Sequence, residues 1–137
     1  MVNQIDDFLN KNNVFAVVGV SRNPSKYGYI IYQDLLRKGY KVFPINPNAK
    51  MIDDDKAYAS LSELPIQPDV VDIVVPPKIA LEVVKECHEL GIQKVWLQPG
   101  AESDEVIDFC YKHDIEVIYG TCVMVESSNA RTMMRHQ

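Results

Sequence analysis

Cysteine is scarce in this chain: Cys87, Cys110 and Cys122 are the only three, odd in number, far apart and without a Cys-x-x-Cys pair. That excludes a disulfide framework and a site built on paired thiols, and it fits a reducing cytoplasm. Basic charge is also short, with 14 Lys and Arg against 19 Asp and Glu and a net charge of −5. Neither nucleic acid nor an anionic membrane surface is therefore expected as a partner. No apolar run approaches the ~20 residues that cross a bilayer. The start, Met1-Val-Asn-Gln-Ile-Asp-Asp7, has no basic segment leading into an apolar one, so no export signal is expected. Repeats, low-complexity tracts and Gly/Ser linkers are missing. What is present is 137 residues that are 47% hydrophobic, enough for one domain to bury its own core without a metal or a cross-link.

The apolar period switches along the chain between strand-like runs and helical spacing. Val14-Phe-Ala-Val-Val-Gly-Val20 is short, rich in β-branched residues and continuously apolar, as strands covered on both faces are, and Val70-Val-Asp-Ile-Val-Val75 reads as a second such buried strand. Lys41 to Asn46, Lys94 to Leu97 and Glu116 to Tyr119 read as further strands, with a short one at Lys56 to Tyr58 inside a mixed stretch that also holds a helical turn at Ser60 to Leu64. Between them, Ser25 to Lys38, Pro77 to Leu90 and Ser103 to His113 carry helical spacing. Gly39 and Gly91 stand as stops, Pro77 suits a first helical position, and Ser103 suits an N-cap. A last helix over Met124 to Arg135 is expected to cover an edge. This alternation predicts an α/β fold, a Rossmann-like, doubly wound parallel sheet in three α/β/α layers with strand order 3-2-1-4-5.

Such sheets bind ligands beyond the carboxyl ends of their strands, where the strand order reverses. The rule selects four turns: Gly19 to Gly28, Asn46 to Lys50, Val75-Pro-Pro77 and Gln98-Pro-Gly100. The first departs from the dinucleotide fingerprint G-x-G-x-x-G, which would need glycine where Ser21 and Pro24 stand. A Cβ at 21 keeps a pyrophosphate from the closest backbone approach, and Pro24 has no N–H to offer. In exchange the loop is long and rich in side-chain donors: Ser21, Arg22, Asn23, Ser25 and Lys26. At the end of the second strand an NAD site would place an acid on the ribose hydroxyls. Here Asn46-Pro47 stands there with Lys50 nearby, which favours a phosphorylated nucleotide over NAD.

These residues make the chain resemble the CoA-binding-domain family, stand-alone relatives of the N-terminal domain of the succinyl-CoA synthetase alpha subunit. The resemblance rests on Val17 to Gly28, Gly39 to Pro47, Val70 to Pro77 and Val95 to Gly100, in that order, and spans about residues 14 to 126. It implies a single domain that holds the adenosine and diphosphate of coenzyme A or an acyl-CoA. Gly19, Ser21, Arg22, Asn23 and Lys26 would form the diphosphate loop. Asn46 and Pro47 would sit near the adenosine, Val75 and Pro76 at the turn bordering adenine or pantetheine, and Gln98 on the next rim. Ser25 and Tyr27 belong to the same loop, and Arg22, Lys26 and Lys50 are the basic groups nearest the phosphates.

The synthetase's catalytic phosphohistidine belongs to a domain not found in these residues, so the resemblance carries no catalysis with it. His88, His113 and His136 read as surface histidines, Cys87 and Cys110 as small core residues, and Asp53-Asp54-Asp55 as a solvated acidic turn without the spacing of a calcium loop. Trp96 suits either the core or a base. Cys122, after the last strand, is expected near the crevice mouth, where a thiol could exchange with that of CoA. The expected function is a cytoplasmic CoA-binding carrier, sensor or regulatory module with no metal. The alternatives are an NAD(P)-dependent oxidoreductase and an interaction module without a nucleotide.

Overall fold

The computed structural model describes residues 3–135, with side chains as far as residue 129. Its strands are β1 (Val14–Val18), β2 (Lys41–Ile45), β3 (Met51–Ile52), β4 (Asp55–Lys56), β5 (Val70–Ile73), β6 (Lys94–Leu97) and β7 (Glu116–Ile118). The helices are α1 (Gln4–Phe8), α2 (Tyr27–Arg37), α3 (Pro77–Leu90), α4 (Asp104–Lys112) and α5 (Val123–Arg135), with a 3-10 turn at Leu61–Glu63. Five strands form one parallel sheet in the order β2-β1-β5-β6-β7. Counting only full strands, that is 2-1-3-4-5 rather than the expected 3-2-1-4-5. The outer place beside β2 is held by a single parallel bridge between Ile45 and Tyr58. The segment before Tyr58 folds instead into the antiparallel β3–β4 hairpin. The point where strand order reverses, between β1 and β5, stays where it was expected.

Strand alternation sorts the core into two layers. Ala16, Val18, Val71, Ile73, Val95 and Leu97 face α3 and α4, where Ala80, Val84, Val106 and Cys110 meet them. Phe15, Val17, Val70, Trp96 and Ile118 face the other way, against Phe8 of α1, Ile31 and Leu35 of α2 and Val123 of α5. Trp96 is thus a core residue, fully buried, with its indole N–H donated to the Thr121 carbonyl at 3.0 Å. α5 lies beside α2 on this face instead of on an edge. The Lys38 ammonium ties the two together, donating to the Met124 carbonyl and the Ser127 hydroxyl at 2.8 Å each. The caps follow the local chemistry: the Ser103 hydroxyl accepts from the Val106 N–H at 3.2 Å, and Gly91 ends α3 at φ 77°.

The acidic run 53–55 is not simply solvated. Asp53 accepts from the Tyr29 hydroxyl at 2.5 Å, and Asp55 from the buried Tyr32 hydroxyl at 2.7 Å. The two carboxylates clamp the hairpin onto α2. Tyr32→Phe removes one clamp and is expected to cost about 1 kcal/mol in urea denaturation, whereas an unchanged midpoint would show that the contact holds nothing. Among the described residues no cluster of His, Cys, Asp and Glu could hold a metal ion, and no helix is long and apolar enough to cross a membrane.

Candidate functional site

The parallel register brings the carboxyl ends of β1, β2 and β5 side by side, so the turns leaving them share one edge of the sheet. Hydrogen bonds join those turns directly. The Gly19 and Val20 N–H groups both donate to the Ile45 carbonyl, at 3.1 and 3.2 Å, and the Val74 N–H donates to the Val18 carbonyl at 2.9 Å. The Asn46 amide donates to the Val20 carbonyl at 2.8 Å, while its oxygen accepts from the Asn48 N–H at 2.7 Å. One side chain therefore stitches the loop after β1 to the Asn-Pro corner after β2.

Two glycines allow the close approach. Gly19 has φ +105°, and a Cβ there would lie 2.9 Å from both the Val74 carbonyl oxygen and the Val75 side chain. Gly28, in the first turn of α2, is tighter: a Cβ would fall 2.0 Å from the Gly19 carbonyl oxygen. Gly28 thus supplies the close helix-to-strand packing that the third glycine gives in a dinucleotide fingerprint, displaced along the chain because the loop is longer.

The loop shapes itself with its own side chains. Ser21 Oγ accepts from the Asn23 N–H at 3.0 Å, and Asn23 Oδ1 accepts from the N–H and hydroxyl of Ser25 at 3.0 and 2.8 Å. Arg22 and Lys26 are left exposed to solvent. α2 begins with Lys26 at its N-cap and no side chain capping it. The positive end of the helix and its first-turn N–H groups are thus open to an anion.

Two compartments flank the saddle of Gly19, Ser21 and Val75. One, of about 380 Å³, is mostly apolar and runs from Asn46 and Pro47 past Leu61 to Ile79, Val83 and Glu86 of α3. The other, of about 390 Å³, is more polar and runs between Lys26, Tyr27 and Gly28 on one side and Pro99, Gly100 and Ala101 on the other. Together they form one bent crevice across the reversal point of the sheet, within the usual size range of a small-molecule site. Gly19, Ser21, Lys26, Tyr27, Asn46, Pro47 and Val75 line it. Arg22, Asn23 and Ser25 occupy the loop above without lining either compartment. Pro76 is the N-cap of α3, and Lys50 stands exposed at the start of the β3–β4 hairpin.

Gln98 is fully buried behind the second compartment. Its amide donates to the Tyr27 hydroxyl at 2.8 Å and to Cys122 Sγ at 3.2 Å, and its oxygen accepts from the Val123 N–H at 3.0 Å. The Tyr27 hydroxyl in turn donates to Cys122 Sγ at 2.9 Å. Burial, with the Cys122 contact second, pushes the Tyr27 phenol up to about 12. Beneath this cluster, in β5, lies Asp72. It is fully buried and neither carboxyl oxygen has a hydrogen-bond partner. Burial alone raises its carboxyl well above the usual carboxylate range.

Sequence reasoning missed Asp72 as well as the α3 wall of the crevice and the Ala59–Leu61 stretch. A signal for the α3 wall was present, since Ile79, Val83 and Glu86 repeat at helical spacing next to the buried stripe of Ala80, Val84 and Cys87. His88 of α3 and His113 at the end of α4 line neither compartment, and their ring centroids lie 4.4 Å apart. His136 lies outside the described residues.

The chain matches the CoA binding domain family over residues 13–128. It belongs to that family. Among curated relatives of this CoA-binding domain, the alpha subunit of ADP-forming acetate–CoA ligase II from Pyrococcus furiosus is 30% identical, over 92% of this chain and 30% of its own length. The chain thus spans less than a third of that relative. Among solved structures, a conserved hypothetical protein from Pyrococcus furiosus is 51% identical over 83% of this chain and 98% of its own, with a TM-score of 0.80. The dinucleotide-forming acetyl-coenzyme A synthetase 1 of Ca. Korarchaeum cryptofilum, in complex with phosphate and ADP, is 31% identical over 85% of this chain and 27% of its own, with a TM-score of 0.73. This CoA-binding domain therefore recurs both as a small protein of similar size and as part of longer enzymes.

Proposed function

We propose that the crevice binds coenzyme A, free or acylated, through its adenosine and diphosphate, and that the protein acts as a carrier, sensor or regulatory module in the cytoplasm. The observation that carries this reading is the junction of the two turns: the loop after β1 and the Asn46-Pro47 corner open on one cavity and are bonded to each other through Asn46 and Val20. The apolar compartment suits a base. Lys26, the open N-terminus of α2 and the exposed Arg22 suit a diphosphate. An uncharged Asn46, where an NAD site needs an acid, argues against a nicotinamide cofactor. The ligase reaction of the longer relatives is not part of the proposal, because the chain spans less than a third of the alpha subunit's length.

Calorimetry with CoA, NADH and NADPH side by side tests this. CoA is expected to bind tightest and to raise the thermal midpoint. Lys26→Ala is expected to weaken CoA by about tenfold or more, the usual loss for one charge-assisted contact. Tighter binding of NADH, or a folded Lys26→Ala protein with undiminished CoA affinity, would overturn the placement.

A further inference from the structure

Behind the Tyr27 wall of the second compartment stands a thiol that the nucleotide-binding reading leaves without a role. Tyr27, which lines it, touches Cys122 Sγ at 2.9 Å, and Gln98, directly before the lining Pro99, touches the same sulfur at 3.2 Å. Both neighbours donate toward the sulfur. Cys122 is partly exposed, whereas Cys87 and Cys110 are fully buried. Burial pushes both of those thiols up, Cys110 to about 11.

A second observation points to the same place. Asp72 pairs in register with Trp96, two residues before Gln98, and its side chain shares the sheet face of Trp96 and Val17 that α2 and the start of α5 cover. Among the described residues it is the buried side chain whose polar atoms have no partner. A buried carboxyl without a partner, in register with the strand that leads to Gln98, is not accounted for by packing.

We propose that Cys122 is a thiol–disulfide exchange site for CoA disulfide docked in this crevice, leaving one CoA moiety on the protein. This rests on the reading that the crevice holds the adenosine and diphosphate of CoA. With those in the first compartment and over the saddle, the pantetheine arm runs into the second toward Cys122. The Cys122 thiol gives its proton to solvent, and its sulfur attacks one sulfur of the disulfide. The Cys122–CoA bond forms as the CoA–CoA bond breaks, and the second CoA leaves as a thiolate that takes up a proton. One disulfide replaces another, so no further oxidant is required. Docking raises the local concentration of the disulfide at the sulfur, which selects CoA disulfide over other disulfides.

The test treats the protein with CoA disulfide and, separately, with glutathione disulfide, followed by intact mass and peptide mapping, with calorimetry of reduced CoA on the same protein. One CoA moiety is expected on Cys122, formed at least about tenfold faster than the glutathione adduct. Cys122→Ser is expected to take up none, and Tyr27→Phe to react several-fold more slowly. If reduced CoA binds but no adduct forms on Cys122, or the two disulfides react equally fast, the exchange site is overturned while the binding proposal stands. If reduced CoA does not bind at all, both fall.

Discussion

Gly28→Ala is expected to destabilise the protein by more than about 3 kcal/mol in urea denaturation, or to prevent folding. The added Cβ would sit 2.0 Å from the Gly19 carbonyl oxygen, a backbone atom. Gly19 is held in turn by its N–H bond to Ile45 at 3.1 Å, so neither partner yields without breaking the join between β1 and β2. Any folded fraction should also lose CoA affinity, because α2 can relieve the clash only by moving its N-terminus off the saddle. Gly91→Ala is the control: φ is +77° but nothing lies within 4 Å of the new Cβ. Its cost should stay at the ~1–2 kcal/mol of a left-handed backbone. Equal, small losses in the two variants would show that α2 does not approach β1 this closely.

Asp72 is expected to make stability fall as pH rises above the ordinary carboxylate range. Burial raises its folded-state pKa well above the ordinary Asp value, which is ~3.9. Between those two values the folded protein holds a proton that the unfolded chain has released. Stability therefore declines with rising pH from about pH 4 upward until the folded carboxyl itself ionises, with a slope of up to ~1.4 kcal/mol per pH unit from this one group. The raised thiols of Cys87 and Cys110 act in the same direction, but above the ordinary thiol range of ~8.5. Urea denaturation of wild type and Asp72→Asn between pH 5 and pH 8 isolates the carboxyl. The variant's curve should be flatter, and comparing slopes removes any fixed cost of the amide. Parallel curves would place Asp72 in a solvated or partnered setting.

Much of the site was legible because the topology rule needs only the ends of strands. β-branched runs identified β1 and β5, and the turns after them contain Gly19, Ser21, Lys26, Tyr27 and Val75, all on the crevice. Asn46 and Pro47 followed from the same reasoning. The role of Gly28 was only half legible: the sequence marks it as the end of the first turn, but the partner atom that makes it indispensable comes from another element. The strand order was misjudged at Tyr58, where one bridge replaces a strand. No local pattern distinguishes the two, because pairing there is decided by competition with the β3–β4 hairpin and its tyrosine clamps on α2.

The resemblance to the CoA-binding domain came from four motifs in order, whereas composition and hydrophobic period were sufficient by themselves for the α/β class, the order of elements and the edge of the sheet where the candidate turns gather. These depend on local propensity and on chirality that every such chain obeys. Only the folded arrangement decided that Asp53 and Asp55 clamp a hairpin, that Gln98 is spent inside, that Asp72 is buried without a partner and that Cys122 stands behind Tyr27. Each of these depends on which distant side chains arrive at the same point, and that is determined by how helices pack on the sheet, not by spacing along the chain.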